Sequence, residues 1–366
     1  MNIVCSKQDL QKGLSIAMKA VGSKSIKTIL ECIHIKAQDN TITLDSFDTV
    51  TAIKTTIYAD VAEPGEAAVP AKILADMIAK LPDGEVSIQR EDGLLIKAGR
   101  SSMRINEMDA DQFPDFPEIE GNKYTVKQGI LRDMIDGTAF SAAVTDTNPI
   151  LKGILFEAEG GILSLVAIDG YRMGKKTAVI ESDAEAKCVI PAKTLKDAAR
   201  LFNDDEEDVD LYFGEGSCFI QLADTLIYTR LLDGRFVNYK SLIEQDYKTR
   251  IRVMTRQLEK GFEMVSVMSR DDSSNLVIME ITPDSAELTS NSDYGTACDS
   301  VPLSLEGDVM TVAFNAKYML DALKAIDDEY LFIELTSPVK AAKLKPLEGE
   351  DFFYLVTPVK YTPSQQ

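Results

Sequence analysis

Asp169-Gly170-Tyr171-Arg172 is the segment whose residue types and spacing could do chemistry. A carboxylate three residues before a guanidinium, joined through a glycine, could run acid–base chemistry or orient a polar ligand group. Tyr171-Arg172 behind that glycine are expected at the surface. Elsewhere the chemical inventory is thin. The single histidine, His34, lies between Ile33 and Ile35 in a strand-like stretch, so imidazole catalysis would rest on it alone. The five cysteines (Cys5, Cys32, Cys188, Cys218, Cys298) are odd in number and never form a C-x-x-C pair, which argues against a disulfide framework or structural zinc. No phosphate-binding glycine loop, no H-E-x-x-H and no G-x-S-x-G occurs. The expectation is a chain with no cofactor, no metal and no catalytic residues.

The elements that would position these residues repeat. Pro70-Ala71-Lys72-Ile73-Leu74, Pro191-Ala192-Lys193-Thr194-Leu195 and Asn315-Ala316-Lys317-Tyr318-Met319 align without gaps. Each follows a short β-type run and opens an amphipathic helix, and Pro or Asn suits a helix start. An acidic turn and a strand follow in all three. Upstream, Lys7-Gln8, Lys127-Gln128 and Arg256-Gln257 each open another amphipathic helix followed by a strand pair. The chain of 366 residues therefore reads as one unit of about 120 residues written three times, helix–strands–helix–strands. Boundaries fall near Gly121-Asn122 and Gln245-Asp246, giving units 1–122, 123–245 and 246–366. No apolar run approaches a membrane span, and the N-terminus lacks a signal-peptide layout, so a cytoplasmic location is expected.

A net charge of −20 would ordinarily exclude nucleic acid, since phosphate neutralisation dominates DNA affinity. Sorting by element changes this. Spans read as helical (6–27, 70–80, 126–144, 191–202, 250–270 and 315–326) hold nineteen basic and eight acidic residues. Lys72, Lys193 and Lys317 recur at one position, followed two turns later by Lys80, Arg200 and Lys324. Positive helices without base-reading motifs suit phosphate contact that positions but does not specify sequence.

These residues carry a resemblance. Val166-Ala167-Ile168-Asp169-Gly170-Tyr171-Arg172-Met173, Gly65 to Leu81, Arg230-Leu231-Leu232-Asp233-Gly234-Arg235-Phe236, Phe314 to Asp321 and Tyr354 to Lys360 occur in the order found in the bacterial DNA polymerase III beta subunit family, the sliding clamps, and the chain resembles that family over essentially its whole length. The resemblance implies an α+β fold of three tandem clamp domains with helices inside and antiparallel sheets outside. It implies a head-to-tail homodimer ring around double-stranded DNA, a non-catalytic processivity factor. Its partners would be the polymerase III alpha subunit, the clamp loader and other proteins carrying clamp-binding motifs.

Carried over by position, a partner-peptide pocket would be lined by Leu151, Gly170, Tyr171, Arg172, Met173, Leu242, Tyr318, Val339, Pro358 and Val359. DNA-facing residues would be Lys12, Lys19, Lys24, Lys72, Lys80, Lys193, Arg200, Lys317 and Lys324. Met103 and Ile105 would face Val267 and Met268 across the dimer interface. The chain departs from the family pattern at Ile168, Val237, Asn238, Ser241 and Thr357, and Tyr361 to Gln366 extend beyond its usual end. These departures bear on what the pocket prefers. The competing readings are a carboxylate enzyme around Asp169 and Arg172, and a repeat scaffold that binds only proteins.

Overall fold

The computed structural model describes residues 1–22, 27–180, 185–243, 246–269 and 275–361. Three copies of one strand–helix pattern run along it. The first comprises β1 (Asn2–Ser6), α1 (Lys7–Ala17), β2 (Cys32–Gln38), β3 (Thr41–Phe47), β4 (Thr51–Tyr58), β5 (Asp60–Glu63), β6 (Gly65–Pro70), α2 (Ala71–Lys80), β7 (Glu85–Glu91), β8 (Gly93–Ala98) and β9 (Ser101–Ile105). The second comprises β10 (Asn122–Lys127), α3 (Gln128–Ala139), β11 (Gly153–Glu159), β12 (Ile162–Ile168), β13 (Arg172–Val179), β14 (Ala186–Pro191), α4 (Ala192–Ala199), β15 (Asp208–Gly214), β16 (Ser217–Gln221) and β17 (Thr225–Arg230). A short helix, α5 (Lys240–Ile243), follows it. The third comprises β18 (Thr249–Met254), α6 (Thr255–Val265), β19 (Leu276–Ile281), β20 (Ser285–Ser292), β21 (Gly295–Gly307), β22 (Met310–Asn315), α7 (Ala316–Lys324), β23 (Tyr330–Leu335), β24 (Ala342–Pro346) and β25 (Phe352–Val356). Every strand pairing is antiparallel, so the α+β expectation holds.

Local chemistry explains the helix starts. Ser6 caps α1 by accepting the Asp9 N–H, and Asn315 caps α7 by accepting the N–H groups of Lys317 and Tyr318. Leu10, Gly13, Leu14 and Ala17 recur at helical spacing, and all are buried. Truncating one such leucine to alanine costs about 2–5 kcal/mol.

The helices are shorter than the sequence spans. Helix α1 gives way to a 3-10 turn at Met18–Ala20, and β18 occupies Thr249–Met254. There Ile251 and Val253 are buried while Arg252 is exposed and Arg250 half-buried, a period of two. Within α1, α2, α3, α4, α6 and α7 eleven basic residues face eight acidic ones. The charge segregation read from the sequence is therefore weaker than expected, because Lys19, Lys27, Lys127, Arg200, Arg250 and Arg252 lie off these helices. Lys24 and Arg270 fall outside the described residues.

The chain divides into two compact units, residues 1–129 with 197–231, and 130–196 with 232–366. The division cuts the middle repeat for a reason visible in the sheets. In the first unit β17 pairs with β4 and joins an eight-stranded sheet ordered β10-β15-β16-β17-β4-β3-β2-β6. In the second unit β25 pairs with β13 inside a twelve-stranded sheet. The second and third repeats thus each give their last strand to the fourth strand of the repeat before them. Among the described residues, β9 pairs only with β8, and residues 295–302 of β21 pair only with β20.

Candidate peptide pocket and nucleic-acid interface

The turn between β12 and β13 is built by Asp169 and Gly170. Asp169 Oδ1 accepts the N–H groups of Tyr171 and Arg172, each at 2.9 Å, and Gly170 takes a φ of +94° that glycine adopts without strain. The carboxylate is thereby a turn former. Its other oxygen accepts from Arg172 Nε at 3.0 Å, so both oxygens are engaged structurally.

Arg172 departs from the surface expectation: its side chain is 9% exposed, whereas Tyr171 is 62% exposed. Burial of the guanidinium is offset by pairing. Arg172 Nη1 donates to Asp321 Oδ2 on α7 at 2.6 Å, and the guanidinium lies 4.5 Å over the Tyr318 ring and 5.5 Å over Phe140. Tyr171 and Tyr318 stack with ring centroids 6.1 Å apart. Burial, with the nearby Asp169 carboxylate, raises the Tyr318 hydroxyl pKa, so it remains a neutral donor at neutral pH.

The other residues expected in the pocket are placed by their own contacts. The Thr357 N–H donates to Tyr171 O, which seats Pro358 beside the turn, and the Val359 N–H donates to Ala313 O. Met173 is buried in a cluster with Ile168, Leu155, Tyr239 and Leu355, against which Leu151 packs. Leu242 is 36% exposed, its N–H bonded to Tyr239 O. Val339 is 62% exposed in the β23–β24 connection, two residues before Ala341 of the same cluster. The combination of apolar floor, exposed aromatic and immobilised arginine suits an extended apolar peptide. Asp321 and Phe140 were not anticipated, since their contacts with Arg172 join distant segments.

Lys12, Lys72, Lys80, Lys193 and Lys317 are exposed on helices α1, α2, α4 and α7. Lys19 is less available, 22% exposed with its Nζ 3.5 Å from Asp197, which Arg200 also contacts at 3.2 Å. Lys324 pairs with Glu263 at 2.8 Å, which raises its pKa. The Lys324–Glu263 pair is exposed, and such pairs are worth about 0–1 kcal/mol and exchange readily for phosphate.

Of the residues expected at a dimer interface, Val267 is 53% exposed and Met268 and Met103 are half-buried. Ile105 is corrected: at 5% exposure it sits in the first repeat's own core with Leu94 and Ile96. Strand alternation points Met103 and Ile105 inward together. His34 lies between Asp45 (3.6 Å) and Glu66 (3.4 Å) and stacks on Phe113. No helix among the described residues is long and apolar enough to cross a membrane.

Comparison with known proteins covers nearly the whole chain. Residues 1–117, 125–238 and 240–360 match the N-terminal, central and C-terminal domain models of the DNA polymerase III beta subunit. The beta sliding clamp of Halalkalibacterium halodurans is 29% identical across 98% of this chain and all of its own length. That of Bacillus subtilis is 27% identical over the same shares. Among solved structures, a putative DNA polymerase III beta subunit from Eubacterium rectale superposes with a TM-score of 0.93 at 30% identity, covering 99% of both chains. The Bacillus subtilis DNA polymerase sliding clamp gives 0.94 at 27%, covering 99% of this chain and 100% of its own. With all three domains matched in order, the chain belongs to the DNA polymerase III beta subunit family, the sliding clamps.

Proposed function

We propose that two copies of this chain join head to tail into a ring that encloses double-stranded DNA and tethers a replicative DNA polymerase. Function then comes from topology: a closed ring cannot leave the duplex sideways, so weak mobile contacts suffice. Tethering raises the polymerase's effective concentration at the primer end. The chain is a non-catalytic accessory subunit, and the engagement of Asp169 by its own turn accords with that.

One observation carries the ring. Both junctions between repeats are made by the same strand pairing, β17 on β4 and β25 on β13, and one donor strand (β9) and one acceptor edge (the start of β21) lack that neighbour within the described chain. A donor at one end and an acceptor at the other define a heterologous interface, which closes when the rotation permits. Val267 and Met268 would flank that contact beside Met103.

The exposed lysines Lys12, Lys72, Lys80, Lys193 and Lys317 supply sequence-independent phosphate contact, with Lys19, Arg200 and Lys324 joining as their ion pairs exchange. The pocket around Tyr171 and Tyr318 receives short apolar motifs of the polymerase alpha subunit, the clamp loader and other clamp-binding proteins in the cytoplasm. Sedimentation of the whole chain tests the assembly: a species near twice 40.3 kDa at micromolar concentration is expected, and a strict monomer would overturn it.

A further inference from the structure

The sheet face beside the pocket continues past it and changes character. Strand register lays Ile168, Met173, Leu355, Lys343, Glu334 and Arg250 side by side in one row across β12, β13, β25, β24, β23 and β18. Neighbours in such a row stand about 4.8 Å apart. The first three belong to the apolar cluster behind the Asp169 turn, and the next three are charged. In the adjoining row Lys175 lies opposite Phe353, and Lys345 lies opposite Phe332. Residues two apart on a strand share a face, so Lys175 and Lys345 stand on the face of Met173 and Lys343.

A cavity of about 730 Å³ opens over the charged stretch. Lys175, Arg250, Lys343 and Lys345 line it, together with Ile243 and Phe353, which also pack against the apolar cluster. Cavity and pocket floor therefore share a wall. The local charge opposes that of the whole chain: against a net −20, four basic side chains here meet three carboxylates, those of Asp246, Glu334 and Glu350. Glu334 is 4% exposed and already held by Lys345 at 2.7 Å and Arg250 at 3.2 Å. Lys175 has no ion-pair partner among the described residues. Lys343 is buried, and burial lowers its pKa, a cost that an incoming carboxylate would offset.

We infer that this cavity is an annexe of the peptide pocket that takes acidic residues flanking the apolar motif, with Lys175 and Lys345 as their ion-pair partners. This rests on the pocket reading and deepens it by naming a preference in the partner. Extended chain advances about 3.3 Å per residue, so a peptide leaving the apolar floor reaches Lys343 and Lys345 within about three residues. A chain of this net charge would otherwise repel an acidic flank, and the cationic rows supply the local attraction.

Fluorescence anisotropy on the full-length chain tests this with two labelled peptides that carry one apolar clamp-binding motif, flanked on each side by Glu-Glu-Glu or by Gln-Gln-Gln. At low salt the glutamate peptide should bind about three- to tenfold tighter, the range partly exposed ion pairs supply, and the advantage should fade as salt rises. Lys175→Gln/Lys345→Gln should bring the ratio of the two affinities close to one. Arg250 stays on Glu334 in that variant, and should it fail to fold, Lys175→Gln alone should still reduce the ratio. Equal binding of both peptides by wild type, or an advantage that survives the substitutions, would overturn the annexe while the pocket stands. Selective displacement of the glutamate peptide by a short single-stranded oligonucleotide would overturn it in favour of nucleic acid. Binding of neither peptide would remove the pocket as well.

Discussion

Arg172 and Asp321 meet at 2.6 Å across the boundary between the second and third repeats, binding the β12–β13 turn to helix α7. The contact fixes a guanidinium that also lies over Tyr318, so the aromatic pair of the proposed pocket depends on the Asp321 carboxylate. Asp321→Ala should cost about 1.5–3 kcal/mol of stability, the range for hydrogen bonds to charged groups. It should also weaken peptide binding about tenfold. Urea unfolding read beside peptide titration would reveal both, and unchanged affinity would disconnect Asp321 from the pocket.

Tyr171 contributes exposed aromatic area and little to the core. Tyr171→Ala should leave the unfolding midpoint nearly unchanged, yet lower affinity for a clamp-binding peptide ten- to a hundredfold, as loss of an aromatic anchor does. Fluorescence anisotropy with a labelled peptide is the readout. Equal affinity of variant and wild type would relocate the site.

Glu157 is 8% exposed and accepts hydrogen bonds from Lys187 at 2.6 Å and from Tyr239. Burial, the largest single influence, raises its pKa, but those two bonds and the charges of Lys187 and Lys240 together outweigh it and hold the carboxyl below its ordinary range. The folded chain then binds fewer protons there than the unfolded one. Its stabilisation is complete above the usual carboxylate range and is lost as pH falls through the lowered folded value. Glu157→Gln should be destabilised at pH 7 by about 1–3 kcal/mol relative to wild type, with the gap narrowing by pH 3. A gap independent of pH would contradict the assignment.

Removing the lysines proposed to contact phosphate should change salt dependence more than sequence preference. Each alanine placed at Lys12, Lys72 or Lys317 should reduce the slope of log K against log salt by about 0.9. Titrations of nicked circular DNA at several salt concentrations would measure it. A constant slope in the triple alanine variant would move the DNA surface elsewhere.

The repeat was legible because Lys72, Lys193 and Lys317 are each the second residue of a helix that follows a partly buried strand, a pattern carried by local periodicity. Helix ends were not, because β10 and β18 alternate over only six residues each and place Arg250 and Arg252 beside a helix start. The burial of Ile105 was readable from the alternation in Ser101-Ser102-Met103-Arg104-Ile105, which sends Met103 and Ile105 to one face. The role of Asp321 was not, since its partner is 149 residues away and nothing local marks the pair. Burial of Arg172 was hidden for the same reason.

The central claim is topological, and one measurement addresses it directly. The clamp is loaded onto nicked circular DNA, and the circle is then cut once at a distant site. A closed ring should remain on the intact circle through gel filtration and run off the linear product within minutes. Equal retention on both forms would mean ordinary binding and would contradict the account.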